Sequence, residues 1–311
     1  MSAVNDTKFN CAAFLLTGIP GQEDVHLWIS TVFCLTYTIS IVGNSLILFI
    51  IKTDLSLHET MYIFLSVLAI TDLGLLISSM PTIPGVFLFS SREISLNASV
   101  AQLFFIHSFT FIESAVLLLI AFDRFIAISN PLKYTFIVIL LRIAKIGLVF
   151  VLRGVAIILP LSLLLKRFQF CRANILSHSF CLHMEVMTMA CADITVNNIY
   201  GLFITVITVR LHSLLIFLFY VMILKTVLSI SSHVEFLRAL NTCVSYLCAV
   251  LLFYMPEFTL TLMHRFRKSS FPLLQIILGY IYLLVPPLRN PIVYSLKSKH
   301  LRWRIIKVFV K

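Results

Sequence analysis

Charged residues are scarce in this sequence. Only 12% of its 311 residues are Asp, Glu, Lys or Arg, whereas 60% are hydrophobic; soluble proteins average about 25% charged and about 45–50% apolar. A water-soluble fold could not bury that much apolar surface. The net charge of +11 would suggest nucleic-acid binding in a soluble protein. Here the basic residues lie between apolar runs, so we expect no nucleic-acid partner.

The patterns that mark enzymes are also missing. The sequence has no Gly-rich phosphate loop, no nucleophile elbow and no metal-spaced set of His and Cys. We therefore expect no enzyme activity and no metal site. Linkers, low-complexity tracts and internal repeats are absent too, which favours a single domain and disfavours a transporter built from inverted repeats.

Long apolar runs are abundant instead. A helix needs about 20 apolar residues to span a bilayer. Seven stretches reach that length: Leu27–Ile51, Met61–Phe87, Val100–Ile126, Ile143–Leu165, Asn198–Leu224, Ala239–Met263 and Phe271–Ser295. The sequence thus predicts an all-α fold, a seven-transmembrane helix bundle over residues 27–295, with an N-terminal segment at 1–26 and a tail at 296–311.

The tail sets the orientation, because Lys and Arg near span ends are enriched on the cytoplasmic side. It carries Lys297, Lys299, Arg302, Arg304, Lys307 and Lys311, so it should be cytoplasmic and the N-terminus extracellular. Asn5 then lies in an Asn-x-Thr glycosylation site outside the cell. Apolar residues alternate with the cations of the tail. This favours a short amphipathic helix on membrane lipid, with a frayed basic tail as the alternative.

Several motifs carry a resemblance to a known family. The most specific is Ala121–Leu132, AFDRFIAISNPL; others are Gly43-Asn44, Leu57–Tyr62, Leu68–Leu73, Ser177–His183, Ala239–Ser245 and Pro286–Tyr294. Their order along the chain resembles that of odorant receptors, specifically the class I (fish-like) branch of the rhodopsin-like G-protein-coupled receptors. The resemblance implies a multi-pass plasma-membrane receptor that detects a small-molecule odorant and activates the heterotrimeric stimulatory olfactory G protein, raising cyclic AMP.

The same resemblance assigns a switch to five residues. Arg124 would be held by Asp123 at rest and released toward the G protein, and Asn290, Pro291 and Tyr294 would form a bending point in the seventh span. The alternative for Asp123 and Arg124 is a topology anchor at the membrane edge.

Carboxylates inside the spans predict a polar site. Asp72 and Glu113 fall in the middle of their spans, where an ionised group is expensive without a cation, a proton or water. Together with Asn44 and Asn290 they resemble a sodium- or proton-binding site below the ligand cavity. No cofactor is required; the alternative to an ion is a neutral hydrogen-bonded pair.

Ligand recognition is expected in the outer half of the bundle. Arg265 matches an arginine that class I receptors use for carboxylic acids, His107 matches a histidine of the same cavity, and Thr261 adds a hydroxyl one turn before Arg265. The predicted apolar wall consists of Phe104, Phe111, Phe203 and Leu161. The alternatives are an interfacial cation at Arg265 and lipid-facing wall residues.

Some positions depart from the family pattern. Ser99 stands where the family has the cysteine that bonds the match of Cys181, so that disulfide cannot form and the loop over the cavity should be looser. Cys171 and Cys191 can still pair with each other. Arg289 and Arg210 lie in spans where relatives carry uncharged residues, with Asp72 as a partner for Arg289 and none evident for Arg210.

These departures leave two alternatives open. One is a non-signalling or poorly folding relic of the receptor family. The other, of a different class, is a membrane transporter or channel, motivated by the charged residues inside the spans.

Overall fold

The computed structural model describes residues 13–18, 26–57, 59–89, 91–129, 140–170, 175–228, 233–265 and 272–309. Within these residues, seven long helical segments follow one another, which we number as the first to seventh spans: His26–Thr53, Thr60–Ser79, Leu96–Ser129, Leu140–Leu165, Thr195–Leu228, His233–Arg265 and Pro272–Lys297. Six of these segments are long and apolar enough to cross a membrane, and the sixth span contains a shorter apolar stretch, Val250–Met263. The predicted seven-helix bundle is confirmed.

Two spans are not uniform α-helices. The second span turns after Ser79 and resumes as a short helix, Ile83–Leu88. Pro81 lies in the turn and has no N–H to continue the helical ladder. The predicted span Met61–Phe87 corresponds to Thr60–Leu88, interrupted at this turn. The fifth span consists of an α-helix over Thr195–Thr205, a π-helical turn over Val206–Arg210 and an α-helix over Leu211–Leu228.

The first and seventh spans approach each other closely at Gly43. A Cβ atom at this position would lie 3.1 Å from both Cβ and Cγ of Pro291. A larger residue would therefore push the two helices apart, which explains why a glycine precedes Asn44 here.

The extracellular side carries a small sheet that the all-α prediction did not include. The strand Ala13–Leu16 pairs antiparallel with Glu93–Ser95 and parallel with Ile175–Leu176. Phe14 is fully buried in this cap, with its ring edge-on to that of Phe170 at 5.2 Å. The N-terminal segment is thereby fixed over the outer end of the bundle.

The predicted tail helix is present as Lys299–Phe309. Leu301 is fully buried against the bundle, whereas Trp303 and Ile306 are 60% and 53% exposed. Asp54, at the end of the first span, forms an ion pair with Arg304. A helix that is anchored on one side and exposes large apolar side chains beside cations suits the cytoplasmic membrane surface.

Candidate functional site: a cavity above a polar cluster

A cavity of about 140 Å³ lies among the third to seventh spans, beneath the loop that joins the fourth and fifth. Typical ligand pockets measure about 300–1,000 Å³, so this cavity suits a small molecule. Its apolar wall includes Phe111, Ile158, Leu161 and Leu260. The four of them come from the third, fourth and sixth spans, which therefore share the task of enclosing a ligand.

The sequence-predicted ligand residues divide into three groups. His107, Phe111, Leu161 and Thr261 all line the cavity. Phe104 and Phe203 do not: Phe104 packs outside it, beside the buried side chains of Ile158, Leu161 and Ile204, and the side chain of Phe203 is 59% exposed. Arg265 ends the sixth span, and its side chain lies outside the described residues.

The position of Phe203 follows from helical geometry. Gly201 and Thr205 line the cavity, and Phe203 is two residues from each of them. Each residue turns an α-helix by about 100°, so Phe203 points to the opposite face, toward lipid. This periodicity was available in the sequence.

Four of the hydroxyl groups that line the cavity already donate their hydrogen atoms to protein oxygens. Thr205, Thr208 and Thr261 donate to the carbonyl oxygens four residues earlier, at 2.9, 2.8 and 2.8 Å. The hydroxyl of Tyr282 donates to Oγ1 of Thr110 at 3.1 Å. These side chains therefore present mainly oxygen lone pairs, which accept hydrogen bonds, to anything in the cavity.

Two histidines face each other across the outer part of the cavity. The rings of His107 and His183 are 6.3 Å apart and nearly perpendicular. Burial, with a further contribution from His107, lowers the pKa of His183 to about 3, so this loop imidazole is neutral near pH 7. In each ring Nε2 is buried without a hydrogen-bond partner among the described residues.

A carboxylate also lines the cavity. Glu257 follows Pro256 in the sixth span, and its Oε2 is buried with no donor among the described residues. Arg210 is near enough for an electrostatic interaction, but its guanidinium lies 3.9 Å from the centre of the Phe258 ring and makes no ion pair with Glu257 there. A carboxylate in this position is costly unless a ligand or a proton compensates it.

Beneath the cavity, a hydrogen-bonded chain joins three spans. Ser114 lines the cavity floor; its hydroxyl lies 2.9 Å from Nδ1 of His212 in the fifth span and 2.7 Å from the hydroxyl of Tyr254 in the sixth. All three side chains are buried. A change at the floor of the cavity therefore reaches the third, fifth and sixth spans together.

A deeper cluster brings the two predicted carboxylates together. Asp72 and Glu113 are fully buried. The amide nitrogen of Asn290 lies 3.2 and 3.0 Å from the two oxygens of Asp72 and 3.2 Å from Oε1 of Glu113. The amide oxygen of Asn290 accepts from Arg289 at 2.6 Å. Asn290 thus links Arg289 to both carboxylates.

Asn44, predicted for the same cluster, binds the backbone of the seventh span instead. Its amide nitrogen donates to the carbonyl oxygen of Pro287 at 2.9 Å and to that of Ser40 at 2.9 Å. In a helix the Pro287 carbonyl would accept from residue 291, but Pro291 has no N–H. Asn44 therefore replaces the missing donor with its amide nitrogen, and its part in the ion site stays a prediction.

The cytoplasmic ends of the spans contain the remaining switch residues. Nε of Arg124 lies 4.0 Å from Oδ2 of Asp123, with 24% and 3% of the two side chains exposed. Tyr294 is buried near the inner end of the seventh span. Asp123 thus lies inside the bundle while Arg124 reaches its surface.

The loop over the cavity is fastened without the missing disulfide. Ser99 donates to Sγ of Cys181 at 2.9 Å, and the side-chain oxygen of Gln102 accepts from the Cys181 N–H at 3.0 Å. Burial raises the pKa of the Cys181 thiol to about 12, so it stays protonated. Ser179 and Tyr280 share a hydrogen bond at 2.6 Å. These contacts hold the loop at the place of the missing disulfide; that the loop is looser than in relatives stays a prediction.

An ion pair within the loop over the cavity also helps to hold the loop in place. Nδ1 of His178 lies 2.9 Å from Oε2 of Glu185. Burial alone would raise the pKa of Glu185, but hydrogen bonds from His178 and Ser177 hold it below its ordinary value. Cys191 is disulfide-bonded. Cys171 and Asn5 lie outside the described residues, so their pairing and glycosylation stay predictions.

Comparison with known proteins decides the family. The olfactory receptor family model matches residues 33–311. The chain is 55% identical to human olfactory receptor 51G2 over 305 residues, covering 98% of this chain and 97% of that one. It is 52% identical to human olfactory receptor 51G1 over 309 residues, covering 99% and 96%. The chain belongs to the olfactory receptor family.

This olfactory receptor is accordingly a multi-pass plasma-membrane protein of the G-protein-coupled class and not an enzyme. Membership also explains the resemblance in the cytoplasmic half, where Asp123, Arg124 and Tyr294 occupy family motifs. Membership in the family favours a receptor over a transporter or channel as the explanation for the charged residues inside the spans.

Sequence reasoning missed four residues that shape the receptor's cavity. Glu257, Ser114, His212 and Tyr254 were not singled out, although Glu257 is a carboxylate inside a span and was as visible as Asp72. The signal for the other three was weaker, because Ser, His and Tyr on separate helices reveal a hydrogen-bonded chain only after the helices are packed.

Proposed function

We propose that this receptor binds a small odorant in the cavity and activates the stimulatory olfactory G protein, so that cyclic AMP rises. The observation that carries the proposal is the hydrogen-bonded junction at the cavity floor, which joins the third, fifth and sixth spans. Ser114 lies at the cavity floor, joined to the fifth and sixth spans through His212 and Tyr254. A ligand that repositions Ser114 would move both spans.

The Pro291 region of the seventh span supports the proposal. The carbonyl of Pro287 depends on Asn44 for its donor, and Asn290 depends on two carboxylates and Arg289 for its position. These contacts stabilise one conformation of the seventh span, which lacks a backbone hydrogen bond at Pro291. Exchange of such contacts would free Arg124 from Asp123 and open the cytoplasmic surface to the G protein.

The test is expression with an epitope tag, followed by measurement of surface display and of cyclic AMP against small acids, amines, alcohols and esters. A ligand-dependent rise that disappears in a Tyr254→Phe, Ser114→Ala double variant, with surface display retained, is expected. A rise that is unaffected by the double variant would contradict the proposed route from cavity to G protein.

The relic alternative is tested in the same cells. A double repair, Ser99→Cys with Arg289→Leu, restores the residues that the family pattern has at these positions. A response in both the original and repaired receptors supports the proposal, whereas surface display and a response only after repair would support the relic.

For one ligand class we propose carboxylic acids held at the outer rim by Arg265, with their hydrocarbon toward the apolar wall and His107. A guanidinium matches a carboxylate through two parallel hydrogen bonds. Arg265→Ala should reduce responses to acids about 10- to 100-fold and leave responses to esters of the same length within about threefold. Unchanged acid responses would remove this class.

For the ion we propose sodium at Asp72 and Glu113. The carboxylate oxygens suit a small cation, and Oε2 of Glu113 is buried without a donor among the described residues. Arg289, which contacts Asn290 beside them, opposes the ion by like charge. Arg289→Leu should therefore increase the effect of sodium on thermal unfolding, measured against potassium at equal ionic strength. No difference between the two salts in either receptor would contradict the sodium site.

A further inference from the structure

The deeper part of the cavity differs in its chemistry from the rim at Arg265. We propose that the inner part of the cavity recognises a protonated amine, with Glu257 as its anchor. The proposal rests on the cavity being the ligand site of the receptor proposed above. It adds a cationic ligand class, which the rim arginine does not suggest.

The first argument is the arrangement of hydrogen-bond donors and acceptors. The hydroxyl hydrogens of Thr205, Thr208 and Thr261 are used within their own helices, and that of Tyr282 is used on Thr110. What these groups offer a ligand is therefore lone pairs. An ammonium group has three donors and no acceptor, so it complements such a surface, whereas a carboxylate has only acceptors.

The second argument is charge. The buried oxygen of Glu257 has no donor among the described residues, and Glu113 is close enough to Glu257 for a repulsive interaction. Two acidic side chains in a low-dielectric bundle favour a cation entering between the spans and disfavour an anion. The imidazole of His183 is neutral near pH 7, so it adds no opposing charge.

Arg210 is a cation of the receptor itself that could neutralise Glu257 in place of a ligand. Its guanidinium lies over the ring of Phe258, whose side chain is 36% exposed at the outside of the sixth span, and it is not among the cavity-lining residues. It therefore reduces the negative field of Glu257 without filling the cavity. Removing the charge of Arg210 should strengthen amine binding, while removing that of Glu257 should weaken it.

The volume of the cavity limits the size of the amine that can bind. The cavity of about 140 Å³ is closed on several sides by Phe111, Leu161 and Leu260. A short unbranched or single-ring amine fills such a space with its hydrocarbon, while its nitrogen meets Glu257. The probes are therefore hexylamine, hexanol and hexanoic acid, which share one chain and differ in the head group.

The experiment measures binding directly, through the shift in thermal unfolding of the purified full-length receptor in lipid nanodiscs. Hexylamine should stabilise the receptor more than hexanol does, and this difference should depend on Glu257. Glu257→Gln should weaken amine binding about 10- to 100-fold, the effect of losing a charge-assisted hydrogen bond, and change hexanol binding by less than about threefold. Glu59→Gln, an exposed Glu at the start of the second span, is the matched control.

Arg210→Leu supplies an independent variant in case Glu257→Gln unfolds, and it should bind hexylamine more tightly. Stabilisation by hexylamine that does not exceed stabilisation by hexanol, or amine binding that is unchanged in Glu257→Gln, would overturn the proposal. So would the absence of stabilisation by hexylamine in every variant.

A parallel cyclic AMP assay separates this proposal from the proposed function. Glu257-dependent amine binding without cyclic AMP would leave the amine site standing and contradict the proposed signalling. A rise in cyclic AMP in response to acids, with no amine binding, would contradict the amine site and leave the proposed signalling standing.

Discussion

Two groups of carboxylates inside the same bundle differ in how they are satisfied. The amide of Asn290, which is held in turn by Arg289, bonds both oxygens of Asp72 and one oxygen of Glu113; the other oxygen of Glu113 has no donor among the described residues. Glu257, in the cavity, has a buried oxygen with no donor among the described residues. A carboxylate that its own helices satisfy holds the helices together, whereas one that they leave unsatisfied lowers stability and is available to a ligand.

The strongest way to break this comparison is Asn290→Ala. Without the amide, Asp72 and Glu113 lose their shared donor while still buried, so the receptor should lose about 3–5 kcal/mol of stability. The measurement is thermal unfolding of purified protein in detergent. Asn97→Ala, at an exposed Asn near the outer end of the third span, is the control. Equal unfolding temperatures for the two variants would mean that the cluster does not stabilise the bundle.

Glu257→Leu should have the opposite sign. Leucine removes a carboxylate with one buried oxygen that has no donor among the described residues, and it fills the space with hydrocarbon, so stability should rise by about 1–3 kcal/mol in the absence of ligand. The same unfolding assay measures it. A loss of stability would show that Glu257 already has a structural partner, and would place it with Asp72 and Glu113.

Asn44→Ala tests whether a donor supplied from another helix matters for the bend at Pro291. The variant leaves the Pro287 carbonyl without that donor and should cost about 1–2 kcal/mol. In a Pro291→Ala background residue 291 regains its N–H, so the same change should cost less. A double-mutant cycle in thermal unfolding gives the difference. Equal costs in both backgrounds would contradict the replacement of the backbone donor by Asn44.

The smallest effect is expected at the loop ion pair, a satisfied carboxylate outside the membrane. The pKa of Glu185 is held below its ordinary value of 4.5. A lowered pKa stabilises the folded state above that ordinary value, and the contribution is lost as pH falls through the folded-state value. Wild-type receptor should therefore lose slightly more stability than Glu185→Gln on acidification below about pH 4.5. Parallel unfolding curves would contradict this.

The sequence was informative where one span alone decides the outcome. Apolar length placed all seven spans, and the motifs placed Arg124 and Tyr294 at the cytoplasmic ends. The sequence also paired Asp72 with Glu113, because a carboxylate in the middle of a span needs a cation, a proton or water. It was misleading where the result depends on how two helices face each other. Asn44 was assigned by its polarity to the carboxylates, yet its partner is a carbonyl exposed by a proline in another helix.

Two other outcomes have a similar origin. The loss of a disulfide at Ser99 predicts a looser loop, but the sequence did not reveal that side chains such as Gln102, distant along the chain, contact the loop. The second span runs past Pro81 as predicted, but with a turn at this proline, whose missing N–H was visible in the sequence. Glu257 could have been found by treating every carboxylate within a span alike, since the cost of burial does not depend on whether a residue belongs to a family motif.

The contact of Gly43 and Asn44 with the proline region of the seventh span has a consequence for spectroscopy. The first span is joined to the seventh through van der Waals contact at Pro291 and a hydrogen bond to Pro287, so a displacement of one is transmitted to the other. A fluorophore attached to Cys34, on the first span and away from the odorant cavity, should therefore change its emission when the seventh span rearranges, without disturbing ligand or G protein.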